Sequence, residues 1–157
     1  MPIKKNLALL VLFVVVFILL GTWLLRDVLG AMIYPVDGEI TSPYGNRYHP
    51  TLHVNKFHNG IDLGVPSGTP IKAAQGGVVI KRFNDEINGN AIVIKHDNGF
   101  STGYAHLSSF LVQLNQKVKK GQVIAKSGAT GRVTGPHLHL TMRNAAGNYV
   151  NPVDYLT

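Results

Sequence analysis

The chain has 157 residues, 45% of them hydrophobic, and no cysteine. That length suits one globular domain, and the missing thiols exclude both a disulfide framework and a thiolate metal site; any transition-metal centre must use imidazole and carboxylate, which suits zinc. The formal charge is +7, of which residues 26–157 carry 13 Lys and Arg against 8 Asp and Glu, or +5; with no basic run interleaved with aromatics, a nucleic-acid partner is excluded and anionic surroundings are expected.

Lys4 and Lys5 precede an uncharged apolar run over residues 7–25. Coiled as a helix, such a run spans about 28 Å, the thickness of a bilayer's hydrocarbon core. Trp23 sits near its far end, a common interfacial position. The lysines predict a cytoplasmic N-terminus and a single-pass anchor in the cytoplasmic membrane, with the remainder on the periplasmic, extracytoplasmic side. A cleaved signal peptide is the rival reading, and Leu29-Gly30-Ala31 is a poor cleavage site. No cysteine follows the run, which excludes the usual lipid anchor. The expected organisation is a cytoplasmic stub and transmembrane anchor over 1–30 and one domain over 34–157.

From Pro35 onward, short strands and turns replace the apolar run. Strands are predicted at 39–42, 61–63, 70–73, 77–83, 91–96, 101–104, 123–125 and 137–142, with Tyr149-Val150 as a last extended pair. Asn98-Gly99 signals a hairpin. Residues 46–57 lack periodicity and read as a loop. Ser108–Asn115 is the only segment that reads as a helix, apart from a closing helical turn over 151–155. The pattern predicts an all-β domain, with antiparallel sheets forming an open barrel or sandwich.

Seven histidines stand at 49, 53, 58, 96, 106, 137 and 139. On a strand, His137 and His139 project to one face while Leu138 and Leu140 point into a core. His58 and Asp62 are four apart, about 13 Å on a fully extended strand, too far to share an ion. Gly60 between them permits a bend that shortens the distance. His106 falls at the end of a predicted strand, where capping by hydrogen bonds is the plain alternative to a chemical role.

Ordered along the chain are Tyr44-Gly45-x-Arg47-x-His49-Pro50, His58-x-Gly60-Ile61-Asp62, Pro66-x-Gly68-Thr69-Pro70, Tyr104-Ala105-His106-Leu107, Gly121-Gln122 and Thr134-Gly135-Pro136-His137-Leu138-His139. Together they resemble the M23 family of lysostaphin-type (LytM-domain) zinc endopeptidases that cut peptidoglycan. The resemblance covers residues 34–156. It implies a largely antiparallel β domain with a groove, zinc held by His58, Asp62 and His139, and two catalytic histidines, His106 and His137. The chain departs from the family pattern at Leu140 and Met142, where an aromatic and often a glutamate are common. His49, His53 and His96 match no ligand position and are expected to be structural or on the surface.

Two histidines and an aspartate leave a fourth zinc position open, the pattern of a catalytic site. One remaining histidine can move the water's proton and the other can hydrogen-bond an oxyanion; His137 is assigned the first role and His106 the second. The expected function is hydrolysis of peptide crosslinks in peptidoglycan, with a regulatory protein partner supplying targeting or control. The alternatives are a non-catalytic LytM-type activator of other wall hydrolases and, more remotely, a phosphotransfer domain. The first would tolerate loss of Asp62.

Overall fold

The computed structural model describes residues 31–49 and 54–157, together with Val15. The expected membrane-spanning run lies outside the described residues apart from Val15, and among the described residues no helix is long and apolar enough to cross a membrane. Met32–Thr157 forms one compact unit.

Among the described residues twelve strands follow in order: β1 Glu39–Ser42, β2 Gly45–His49, β3 Val54–His58, β4 Gly60–Gly64, β5 Pro70–Lys72, β6 Gly77–Asp85, β7 Gly89–His96, β8 Ser101–Phe110, β9 Lys117–Val118, β10 Val123–Ser127, β11 Leu138–Arg143 and β12 Tyr149–Val150. Ten of them form one sheet along the path β1-β4-β11-β8-β7-β6-β9, with β10 joined to β8 and β5, and β12 to β11. Every strand pair is antiparallel. The domain is all-β as expected, and among the described residues the path does not close into a barrel.

The strands form because their apolar residues alternate. Ile61 and Leu63 of β4, Ile92 and Ile94 of β7, Tyr104 of β8, and Leu138, Leu140 and Met142 of β11 are fully buried in one core. Each such side chain contributes about 1.5–3 kcal/mol on burial. The intervening positions on β4 and β11, Asp62, His139 and Thr141, leave the core for the opposite face. One face of the sheet is therefore the core, and the other is free for chemistry.

Two expectations fail. The described parts of the expected loop, residues 46–49 and 54–57, are strands: β2 and β3 pair with each other over five positions, from Gly45↔His58 to His49↔Val54. Asn46, Arg47, Tyr48, Asn55, Lys56 and Phe57 are all exposed, so backbone pairing rather than side-chain burial makes this ribbon, and no hydrophobic period marks it. Tyr44 packs edge-on against Phe57 at its base, ring centroids 5.1 Å apart.

The helix expected at Ser108–Asn115 is absent. Ser109 and Phe110 extend β8 against Lys126 and Ala125 of β10. Beyond them only Val112 is buried, Leu111 N bonds Ile124 O, and Asn115 takes a left-handed φ of 65° while its N–H bonds Val79 O. Cross-strand partners claim the amide groups a helix would need. The closing turn is found as a 3-10 turn at Pro152–Asp154, capped by Asn151.

Candidate metal and catalytic site

His139 on β11 is the direct cross-strand partner of Asp62 on β4. His58 ends β3, and Asn59 alone separates it from β4, which opens at Gly60. The two side chains nevertheless meet: His58 Nε2 lies 3.2 Å from Asp62 Oδ1. Gly60 serves closeness here. A Cβ at position 60 would meet the Leu140 carbonyl oxygen at 2.3 Å, so only glycine lets β4 approach β11.

Three donor atoms converge. His139 Nδ1 is 2.7 Å from Asp62 Oδ1, and His58 Nε2 is 3.1 Å from His139 Nδ1. Ligands around a tetrahedral zinc stand about 3.3 Å from one another, so the spacing fits. The donor chemistry fits as well. His58 Nδ1–H donates to Pro43 O, 2.8 Å away, which leaves its Nε2 a bare lone pair. His139 Nε2–H donates to Asn59 Oδ1 at 3.2 Å, which leaves Nδ1 bare. Two lone pairs and an anion pressed together call for a cation between them.

His106 and His137 flank this cluster, ring centroids 4.7 Å apart. His137 Nε2 lies 3.8 Å from Asp62 Oδ1. It precedes β11 rather than beginning it, joined to Gly128 by a single bridge. Each of the two rings donates Nδ1–H to a backbone carbonyl, His106 to Thr130 O and His137 to Gly135 O, both at 2.9 Å. Each therefore offers Nε2 as a lone pair. Burial pushes the His106 imidazolium below the ordinary histidine range; the Thr130 carbonyl opposes this, and the imidazoles of His137 and His139 add to it.

His106 is not at a strand end. It lies inside β8 at φ 62°, where β8 changes its pairing from β11 at Ala105 to β10 at Leu107. Its N–H bonds Asn88 O instead of a ladder partner. A left-handed non-glycine residue costs about 1–2 kcal/mol, and this bulge turns the ring towards His137 and His139. His96 is buried structure, as expected, with Nδ1 on Gly76 O and Nε2 on Thr102 Oγ1. The side chain of His49 and the whole of His53 lie outside the described residues.

The model of peptidase family M23 matches residues 56–152. The chain belongs to that family. Over 115 residues this M23 chain is 48% identical to the DD-carboxypeptidase/endopeptidase Mpg of Neisseria meningitidis, covering 73% of this chain and 26% of Mpg. It is 48% identical over 109 residues to the peptidoglycan DD-endopeptidase ShyA of Vibrio cholerae, covering 68% of this chain and 25% of ShyA. The chain thus spans about a quarter of the length of the curated relatives it matches. Among solved structures it resembles a zinc-containing peptidase from Vibrio cholerae, with a TM-score of 0.74 and 40% identity over 78% of this chain and 39% of that one. It also resembles the catalytic domain of lysostaphin from Staphylococcus simulans, with a TM-score of 0.67 and 28% identity over 76% of this chain and 92% of that domain.

In this M23 domain, four supporting residues escaped the sequence reading. Pro43 and Asn59 fix the two ligand-like imidazoles from outside. Thr130 holds the His106 ring through its carbonyl, and its Oγ1 bonds Leu107 O at 2.8 Å. Arg47 reaches from the β2–β3 ribbon to within 4.0 Å of Asp62 Oδ2 and donates to Ser42 Oγ. Arg47 lay inside a quoted motif, which was the available signal; the others act through carbonyls or a single amide, which no spacing rule marks.

Proposed function

We propose that this chain is a zinc-dependent endopeptidase that hydrolyses peptide crosslinks of bacterial peptidoglycan, with residues 7–25 anchoring it in the cytoplasmic membrane and the domain on the extracytoplasmic side. The observation that carries the reading is the convergence of His58 Nε2, Asp62 Oδ1 and His139 Nδ1 beside two further imidazoles with free Nε2 atoms. The names of Mpg and ShyA support the bond class, and the lysines before the apolar run support the topology.

His58, Asp62 and His139 would hold the zinc. Bound there, it supplies a Lewis acid for the scissile carbonyl and an acidified water. His137, with its Nδ1–H fixed on Gly135 O, is oriented to accept a proton at Nε2 and return it to the leaving amine. His106, pinned by Thr130 O and the bulge in β8, lies next to the His137 ring and would stabilise the oxyanion by donating Nε2–H, which requires that atom to be protonated in the reaction. An activator without catalysis has no use for this full set of five.

The test is digestion of purified sacculi of several crosslink types by the full chain in detergent. Soluble fragments with new amino groups should appear, vanish with chelator and return with zinc. Release that ignores the chelator overturns the zinc reading; intact sacculi of every type overturn the substrate.

A further inference from the structure

A groove of about 300 Å³ starts at Asn59 and His139 and runs along the open face of the sheet. Its floor is set by register. Thr141, Gly103, Val93 and Lys81 are successive partners across β11, β8, β7 and β6, and Arg143 pairs Ser101 in the next row. Gly103 keeps this floor open, since a Cβ there would stand 2.4 Å from Thr141 Oγ1. Two exposed cations line the groove: Arg143 at its end along β11, and Lys81 on the far wall, three strands across in the row of Thr141. Among the described residues, neither forms an ion pair.

Arg143 is already posed. Its Nη2–H donates to Tyr149 Oη at 2.6 Å, and its guanidinium stacks 4.1 Å over the Tyr149 ring. Tyr149 is tied in turn by Tyr44, whose hydroxyl donates to the Tyr149 carbonyl at 3.1 Å. A stacked guanidinium loses little side-chain freedom on binding and keeps N–H groups free for a two-point contact with a carboxylate. Lys81, on a flexible stem from the other wall, adds a second positive charge. Apolar Val93 on the floor and Phe83 beside Lys81 on β6 strengthen the field inside the groove.

We infer that the end of this groove at Arg143 is a subsite for a substrate carboxylate, with Arg143 as its contact; Lys81, three strands across on β6, adds positive charge at longer range. The inference rests on the peptidase reading for the identity of the ligand as a peptide. His139 and Arg143 are four residues apart on one strand, about 13 Å. An extended peptide covers the same distance in about four residues. A chain that lays its scissile bond beside His139 therefore delivers a carboxylate to Arg143 when one stands about four residues away.

The test uses fluorescein-labelled alanine peptides built around a D-Ala–D-Ala bond, with Glu or Gln four residues to either side. Binding to the full chain is read by fluorescence anisotropy with chelator present, so that no turnover intervenes. On one side the Glu peptide should bind about tenfold more tightly than its Gln twin. Arg143→Gln should bring that ratio to about one, and Lys81→Gln should lower it part-way. Each ratio is read within one protein preparation, so partial unfolding cancels. Equal binding of Glu and Gln peptides on both sides overturns the subsite, as does a preference that survives both substitutions. Cleavage of the same peptides with zinc is measured separately. A preserved binding ratio with no cleavage sinks the peptidase reading and leaves the subsite standing.

Discussion

Asp62 and His139 are 77 positions apart in sequence, yet they are direct cross-strand partners and their side chains meet at 2.7 Å. The candidate site is thus built into the ladder between β4 and β11, on the face turned away from the core. Its geometry is as rigid as the sheet that carries it.

His139 and His137 should separate metal binding from turnover. His139→Ala should abolish stoichiometric zinc in the purified protein as well as hydrolysis. His137→Ala should retain the metal and lose about 10²–10⁴-fold in kcat/KM. Native mass spectrometry of the two variants decides the matter; full zinc in the His139 variant would remove that residue from the ligand set.

His106 predicts an inverted order of stability. Alanine ordinarily outranks glycine in a strand. At φ 62° the order should reverse, because only glycine takes that conformation without strain. His106→Gly should be about 1 kcal/mol more stable than His106→Ala by urea unfolding, with both variants impaired in hydrolysis. Ala equal to or above Gly would show that the bulge relaxes once the ring is gone.

Gly60 should tolerate nothing larger. The added methyl of Gly60→Ala would press on the Leu140 carbonyl at 2.3 Å and on the His139 ring at 3.0 Å. A loss of about 1–3 kcal/mol is expected, together with weaker zinc binding, since the same displacement moves a ligand. Denaturant midpoints and competition with a chromophoric chelator measure the two effects on one sample.

The pH dependence of stability should show two edges from one buried network. Thr102 Oγ1 lies 2.8 Å from His96 Nε2 and 2.9 Å from Tyr104 Oη, which also accepts from Ala74 N–H. Burial lowers the His96 imidazolium below its ordinary value, opposed by the Gly76 carbonyl. The unfolded chain then binds more protons than the folded one below pH about 6.5, and stability falls as the pH drops through that value. Burial pushes Tyr104 up to about 12. Between about 10 and that value the unfolded chain ionises first, and stability falls as the pH rises. Urea midpoints across pH, with chelator present, should shift by up to about 1.4 kcal/mol per pH unit for each group. His96→Gln should flatten the acid edge by its share and leave the alkaline edge in place.

The amino-acid order alone carried the strand alternation, the hairpin at Asn98-Gly99 and the outward face of His139 on β11, because each is local: side chains two apart share a face, and asparagine-glycine favours one turn. It also named all five candidate site residues, through an ordered set of motifs. What it did not carry depends on partners distant in the chain. The β2–β3 ribbon has no apolar period, since it is held by its own backbone bonds. Ser108–Asn115 has helix-compatible residues, but its amides are claimed by β10 and by Val79. Asn59, Pro43 and Thr130 work through an amide or a carbonyl, groups that most residues possess, so only folding shows which imidazole they meet. Gly60 was legible as a special position, while its reason, the backbone of β11 lying against it, existed only once two strands far apart in sequence had paired.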